Sequence, residues 1–260
     1  MTEEREFNYT IAEGYDLPSG GKIYKDLYGT TVNPHVELRS MTARDEMKRL
    51  APSTTPLKTL ADIIEGCMIE KPAVKVYDMI LGDYEFLLHK LRIVTYGADY
   101  KVATRCPECG ELVDIISNLD ELEVKPFDED TFNSLREFTL PKSGKRIVLK
   151  PLTPRLLDDI SIKAKDMQRK YKGAGFDFET LTKLEECVDT IDGEKLSITD
   201  LEGLLKNLPA LDMTKILNNM DKLNQCVGLD TRLFLTCPNC GEDFVNFFRF
   251  GPEFFRPTNI

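Results

Sequence analysis

Two short turns concentrate the residues whose types and spacing could do chemistry: Cys106-Pro107-Glu108-Cys109-Gly110 and Cys237-Pro238-Asn239-Cys240-Gly241. A Cys-x-x-Cys turn points two thiolates at a single cation, and the glycine that follows lets the backbone curl so that its amides face the sulfurs. Tetrahedral zinc takes four ligands, and each turn supplies two. The spacing therefore predicts one structural zinc ion per chain, held by Cys106, Cys109, Cys237 and Cys240, with no open position for water. Three alternatives compete: knuckles without metal, two separate sites completed by other ligands, and a redox dithiol. The last needs its pair at the start of a helix after a strand, which neither turn offers.

The remaining candidates for ligation read as packing residues. Cys67, Cys187 and Cys226 stand singly on helical faces, as small hydrophobes do. Of the two histidines, His35 and His89, His89 sits within an apolar helical stretch and reads as a satisfied core or surface residue. No other catalytic constellation is visible. Ser19-Gly20-Gly21-Lys22 suggests a phosphate loop, but the Gly-x-x-x-x-Gly-Lys-Ser/Thr pattern is missing and Ile23 follows the lysine, so a turn between strands is expected. Nucleophile elbow, His-Glu-x-x-His and dinucleotide fingerprints are absent too. A protein that is not an enzyme and takes no small-molecule substrate is expected.

The elements that must position the cysteines are organised by a repeat. Leu17-Pro18-Ser19-Gly20-Gly21-Lys22 returns as Leu140-Pro141-Lys142-Ser143-Gly144-Lys145. The block from Val36 to Arg44 returns as Ile147 to Arg155, and Gly97-Ala98-Asp99 with the first cysteine turn returns as Gly228-Leu229-Asp230 with the second. Three blocks in one order indicate an α+β fold built by internal tandem duplication, with residues 1–125 and 126–260 as its halves. A pseudo-twofold axis between the halves would bring the equivalent turns together. Each half opens with a turn and a short strand (Val36 and Leu38; Ile147 and Leu149), passes through helices, and closes in a cysteine-bearing hairpin flanked by strands such as Tyr100–Arg105 and Arg232–Thr236.

In the first half, Leu60, Ile63, Ile64, Cys67 and Met68 recur at helical spacing, and a second helix runs from Asp83 as N-cap to a stop at Gly97. In the second half, helices are predicted at about 154–171, 177–190, 199–207 and 212–227, with Thr199 and Asp212 as caps and Gly228 as stop. A connector is expected near Glu123 to Glu137.

The chain has 260 residues, 42% hydrophobic and 30% charged, which is enough apolar material for a sizeable core. Its net charge of −10 disfavours nucleic acid as the main partner. The basic run Lys163, Lys165, Arg169, Lys170, Lys172 reads as the solvated face of a helix. No apolar stretch approaches the roughly 18 residues that span a bilayer. The polar start, Met1 to Glu6, resembles neither a secretory signal nor a transit peptide. A reducing cytoplasm is thus the expected folding environment, in which seven cysteines would not form a disulfide framework.

Six phenylalanines fall between Phe244 and Phe255. Phe244 and Phe248 fit the inward side of a closing strand. Phe250, Phe254, Phe255 and Arg256 lie around prolines that cannot continue a central strand, and aromatic residues beside an arginine suit either partner docking or self-packing.

The Leu-Pro-Ser-x-Gly turn at Leu17, the block from Val36 to Glu46, the segment Leu91 to Gly97 and the Cys-Pro-x-Cys-Gly turn together resemble the baseplate hub family of contractile-tailed, T-even-like phages. The resemblance implies a hub subunit or a factor that assembles the hub. Its partners would be other phage tail and baseplate proteins, and its place the virion baseplate or the host cytoplasm during assembly. No catalytic residue comes with it. A zinc-stabilised protein–protein adaptor is the expected role. The alternative is a cytoplasmic zinc-ribbon protein that contacts nucleic acid or the transcription machinery.

Overall fold

The computed structural model describes residues 12–172, 175, 177–248, 250 and 252–255. The polar segment Met1 to Glu6 and Arg256 lie outside the described residues. The chain opens with β1 (Ala12–Asp16), the turn at Leu17–Lys22, and α1 (Ile23–Tyr28). β2 (His35–Arg39) pairs antiparallel with β1 and buries Val36 and Leu38 on one face, as its alternation predicts. The turn thus leads from a strand into a helix, where a second strand was expected.

Thr42 then caps α2 (Ala43–Leu50) through a capping box with Asp45, and Pro56 starts α3 (Pro56–Cys67). α4 (Leu81–Tyr96) leads into the hairpin β3 (Asp99–Arg105) and β4 (Leu112–Asn118). The expected connector is structured: it holds β5 (Val124–Lys125) and α5 (Glu129–Arg136), the latter capped by Asp128.

A three-stranded antiparallel sheet follows, made of β6 (Glu137–Thr139), β7 (Arg146–Leu149) and β8 (Val188–Ile191). Between β7 and β8 lie α6 (Pro154–Lys170), capped by Thr153, and α7 (Phe178–Cys187). The helix predicted to reach residue 190 stops at Cys187, because Val188 pairs with Leu149 and carries the chain into the sheet. α8 (Ile198–Lys206) is capped by Ser197, whose hydroxyl accepts from the Asp200 amide, so Thr199 is not its cap. α9 (Ala210–Gln225) leads through β9 (Gly228–Leu229), which pairs with β5, to the hairpin β10 (Arg232–Thr236) and β11 (Asp243–Phe247). The architecture is α+β, with small sheets set among helices.

Asp83 and Asp212, predicted as caps, instead occupy the third position of α4 and α9 and are buried. Each holds a turn distant in sequence. The Asp83 carboxylate accepts from the Ser19 amide at 3.0 Å and hydroxyl at 2.5 Å, and from the Tyr24 hydroxyl at 2.6 Å. The Asp212 carboxylate accepts from the Lys142 and Ser143 amides, both at 2.8 Å. A buried carboxylate without such donors would be strongly destabilising.

Further correspondences follow. Thr42 and Thr153 both cap helices. Cys67 and Cys187 both end helices, and the next residues, Met68 and Val188, bridge to Leu38 and Leu149.

One apolar core runs through both sets of elements, from Leu38 and Leu87 to Ile147, Ile216 and Phe254. α4 is buried on most sides, as expected of a helix apolar around its circumference. Its start abuts the chain leaving α9. A Cβ on Gly82 would fall 2.3 Å from the Val227 carbonyl oxygen, so only glycine fits there. Gly228, at φ +106°, faces the Gly82 backbone from the other side.

Candidate metal centre

Each cysteine turn is closed by the same two backbone bonds. The Gly110 amide donates to the Cys106 carbonyl at 3.0 Å and the Cys106 amide to that of Glu111 at 2.9 Å. The Gly241 amide donates to the Cys237 carbonyl and the Cys237 amide to that of Glu242, both at 2.9 Å. Gly110 and Gly241 hold φ of +74° and +78°, a conformation that glycine adopts without strain.

The two turns meet. Cys106 Sγ lies 3.8 Å from Cys240 Sγ, and Cys109 Sγ lies 3.8 Å from Cys237 Sγ. All four sulfurs fall within 4.8 Å of one another. Disulfides, with sulfurs about 2 Å apart, are excluded at this spacing. Sulfurs at about 2.3 Å from a tetrahedral zinc would stand about 3.8 Å apart, so the donor set fits such an ion in type, number and spacing. The contacts are reciprocal, the first cysteine of each turn meeting the second of the other. The first cysteines, Cys106 and Cys237, are buried against Val113, Ile115 and Phe244, while Cys109 and Cys240 are exposed.

The surroundings favour thiolate at Cys109 and Cys237. The backbone N–H groups of Cys240 and Asn239 draw the Cys237 thiol down to about 7. The Glu111 amide and then the Asn239 side chain lower that of Cys109, Asn239 Nδ2 lying 3.7 Å from its sulfur. The Glu242 amide pulls the Cys240 thiol down as well, yet desolvation and the three neighbouring sulfurs outweigh it and push it up to about 12. Four negative sulfurs this close repel one another, and a bound cation removes that obstacle.

The other sequence candidates stay apart from this centre. Cys67 and Cys187 are buried, and burial raises their thiols to about 11 and 12, as for inert packing residues. His89 is buried with Nε2 3.0 Å from the Leu119 carbonyl, and burial lowers it to about 4. His35 is exposed beside Asp16. Lys163, Lys165, Arg169 and Lys170 lie exposed on α6, as predicted, with Lys172 exposed just beyond its end.

Sequence reasoning did not single out Asn239, although its place inside the second turn, where the first carries Glu108, was the available signal. The aromatic tail is mixed. Phe254 and Phe255 are 1% and 3% exposed, and Phe254 stacks edge-on with Phe248 and Phe250. The buried Arg92 donates from Nε to the Phe254 carbonyl at 3.0 Å. Phe254 and Phe255 thus pack within the chain, their rings 5.1 Å apart edge-on. Phe250 stays partly open.

A family model described as T4 bacteriophage base plate protein matches residues 9–256. The chain belongs to that family. Comparison with curated proteins and with solved structures gives no match. As a T4-type base plate protein, the chain has a structural role in a phage baseplate, with baseplate proteins as partners and the virion tail as its location. No helix among the described residues is long and apolar enough to cross a membrane.

Proposed function

We propose that this base plate protein is a hub subunit or hub assembly factor that works as a rigid adaptor, its two halves fastened by one structural zinc. The observation that carries the reading is the convergence of Cys106 and Cys109 with Cys237 and Cys240. With four protein thiolates the ion keeps no open position, so its contribution is to folding and not to chemistry. A non-enzymatic part is consistent with this.

Tandem duplication, with halves at residues 1–125 and 126–260 about a pseudo-twofold axis, accounts for several correspondences at once. Asp83 and Asp212 grip equivalent turns, and Thr42 and Thr153 cap equivalent helices. Reciprocal sulfur contacts are the pattern that a twofold arrangement generates. Related but non-identical halves would offer neighbours two similar surfaces, which suits a joint between parts of different symmetry.

The test has two arms. Elemental analysis of protein purified without chelator should give one zinc per chain, and none would remove the clamp. Mass spectrometry of purified particles and of assembly intermediates should place the chain with hub components. Its absence from both would overturn the hub reading.

A further inference from the structure

At the base of the β10–β11 hairpin, the end away from its cysteine turn, a cavity of about 620 Å³ opens between α3, α4, α6 and the chain that follows α9. Sites of about 300–1,000 Å³ commonly enclose a ligand or inserted side chains. Leu60, Leu88, Leu157, Val227, Phe248 and Phe250 give it apolar walls.

Its charged groups are matched except for one. Asp230 is gripped by Arg232 and lies 3.4 Å from Lys125, and Asp221 pairs with Lys183 at 3.2 Å. Glu85, on the wall formed by α4, has no hydrogen bond or ion pair among the described residues. The group is half-buried, and desolvation pushes its carboxyl up to about 7. The neighbouring Tyr84 hydroxyl is buried without a hydrogen-bond partner.

The cavity continues onto an exposed apolar strip. Phe234 and Val245 face one another across the hairpin, 75% and 48% exposed, and Phe247, 59% exposed, also lines the cavity. Alternate residues of a strand share a face, so the three side chains form one patch. β10 and β11 pair only with each other among the described residues, which leaves strand edges open beside that patch.

We propose that this cavity and strip receive an extended segment of another baseplate polypeptide, which lays apolar side chains along Phe234, Val245 and Phe247 and inserts a lysine or arginine beside Glu85. Open edges and an alternating apolar face suit an extended peptide. The unmatched, half-buried carboxylate selects the cation, because a segment that covers it must bring a charge to match it. The segment rests on the adaptor reading above, and the test separates the two.

The probe is an acetylated, amidated hexapeptide, Val-Lys-Val-Thr-Val-Thr, set against the same peptide with norleucine or glutamate in place of lysine. Each is titrated into the full chain by calorimetry and by amide chemical-shift mapping. The lysine peptide should bind about tenfold more tightly than the norleucine peptide, with shifts at Glu85 and Phe247, and the glutamate peptide more weakly still. Glu85→Gln should erase the preference for lysine while keeping the zinc content and melting temperature of the wild type. Phe234→Ser, at an exposed position, should weaken all three peptides. Equal binding of lysine and norleucine peptides, shifts confined to other surfaces, or a preference that survives Glu85→Gln would each overturn the inference. If these failures came with one zinc per chain and normal association with hub proteins, the adaptor reading would stand without this docking site.

Discussion

Breaking the cysteine centre should loosen the whole chain and not one hairpin. Cys109 and Cys237 are separated by 128 positions in sequence. The unfolded chain does not hold the four thiolates together, so the binding free energy of the ion adds to folding: free zinc at about 5,000 times its dissociation constant contributes roughly 5 kcal/mol, against a total of about 5–15 kcal/mol for an ordinary domain. At about 2.1 cal/mol/K per residue, unfolding 260 residues carries an entropy near 0.55 kcal/mol/K, so losing the tie should lower the melting temperature by roughly 9 °C.

The informative comparison is a cycle of Cys109→Ser, Cys237→Ser and the double variant. Because one ion needs both turns, either single substitution should release it, and the second should add little. Thermal melts, zinc content by plasma mass spectrometry and amide hydrogen exchange supply the readouts. Exchange should quicken in both hairpins and in the core between α4 and α9. Additive melting losses, or faster exchange only in the hairpin that carries the substitution, would refute a shared clamp.

Glycine-to-alanine substitution in a helix ordinarily stabilises by up to about 1 kcal/mol. Gly203→Ala, with open space around it, should follow that rule, while Gly82→Ala should cost about 1–3 kcal/mol because its Cβ would strike the Val227 carbonyl; urea midpoints compare them. His89 stays neutral when folded down to a pH of about 4, whereas the unfolded side chain takes a proton near 6.5. Stability from this site is therefore complete above pH 6.5 and falls as the pH drops, by about 2 kcal/mol between pH 7 and 5. A His89→Gln variant should show a correspondingly flatter urea-midpoint profile. Truncation after Phe250 should cost about 5 kcal/mol, since it empties the ring cluster at Phe254 and strips the buried Arg92 of an acceptor; calorimetry of the truncated chain reads the loss.

The convergence of the four cysteines was legible because the spacing is local within each turn and the recurrence of that turn in the sequence pointed to the long-range pairing. The strands at Val36 and Ile147 were legible from alternation. Asp83 and Asp212 were misread because a carboxylate near a helix start normally caps it, and nothing local shows a distant turn offering better donors. The end of α7 was missed for a similar reason. Cys187 and Val188 continue an apolar pattern that suits helix and strand alike, and pairing with Leu149 decides. The stretch from Glu123 to Glu137 looked like linker because of its charge, yet Asp128 caps α5 and Phe132 buries its inner face. The aromatic tail could not be assigned from sequence, since burial of Phe254 depends on an arginine 162 positions earlier.

The distance along the chain between the paired sulfurs also sets a schedule for synthesis. At about 5–20 residues per second, Cys109 emerges from the ribosome roughly 6–26 s before Cys237. Throughout that interval the early thiols wait, open to oxidation or to any passing ion, and closure of the centre waits for the second turn.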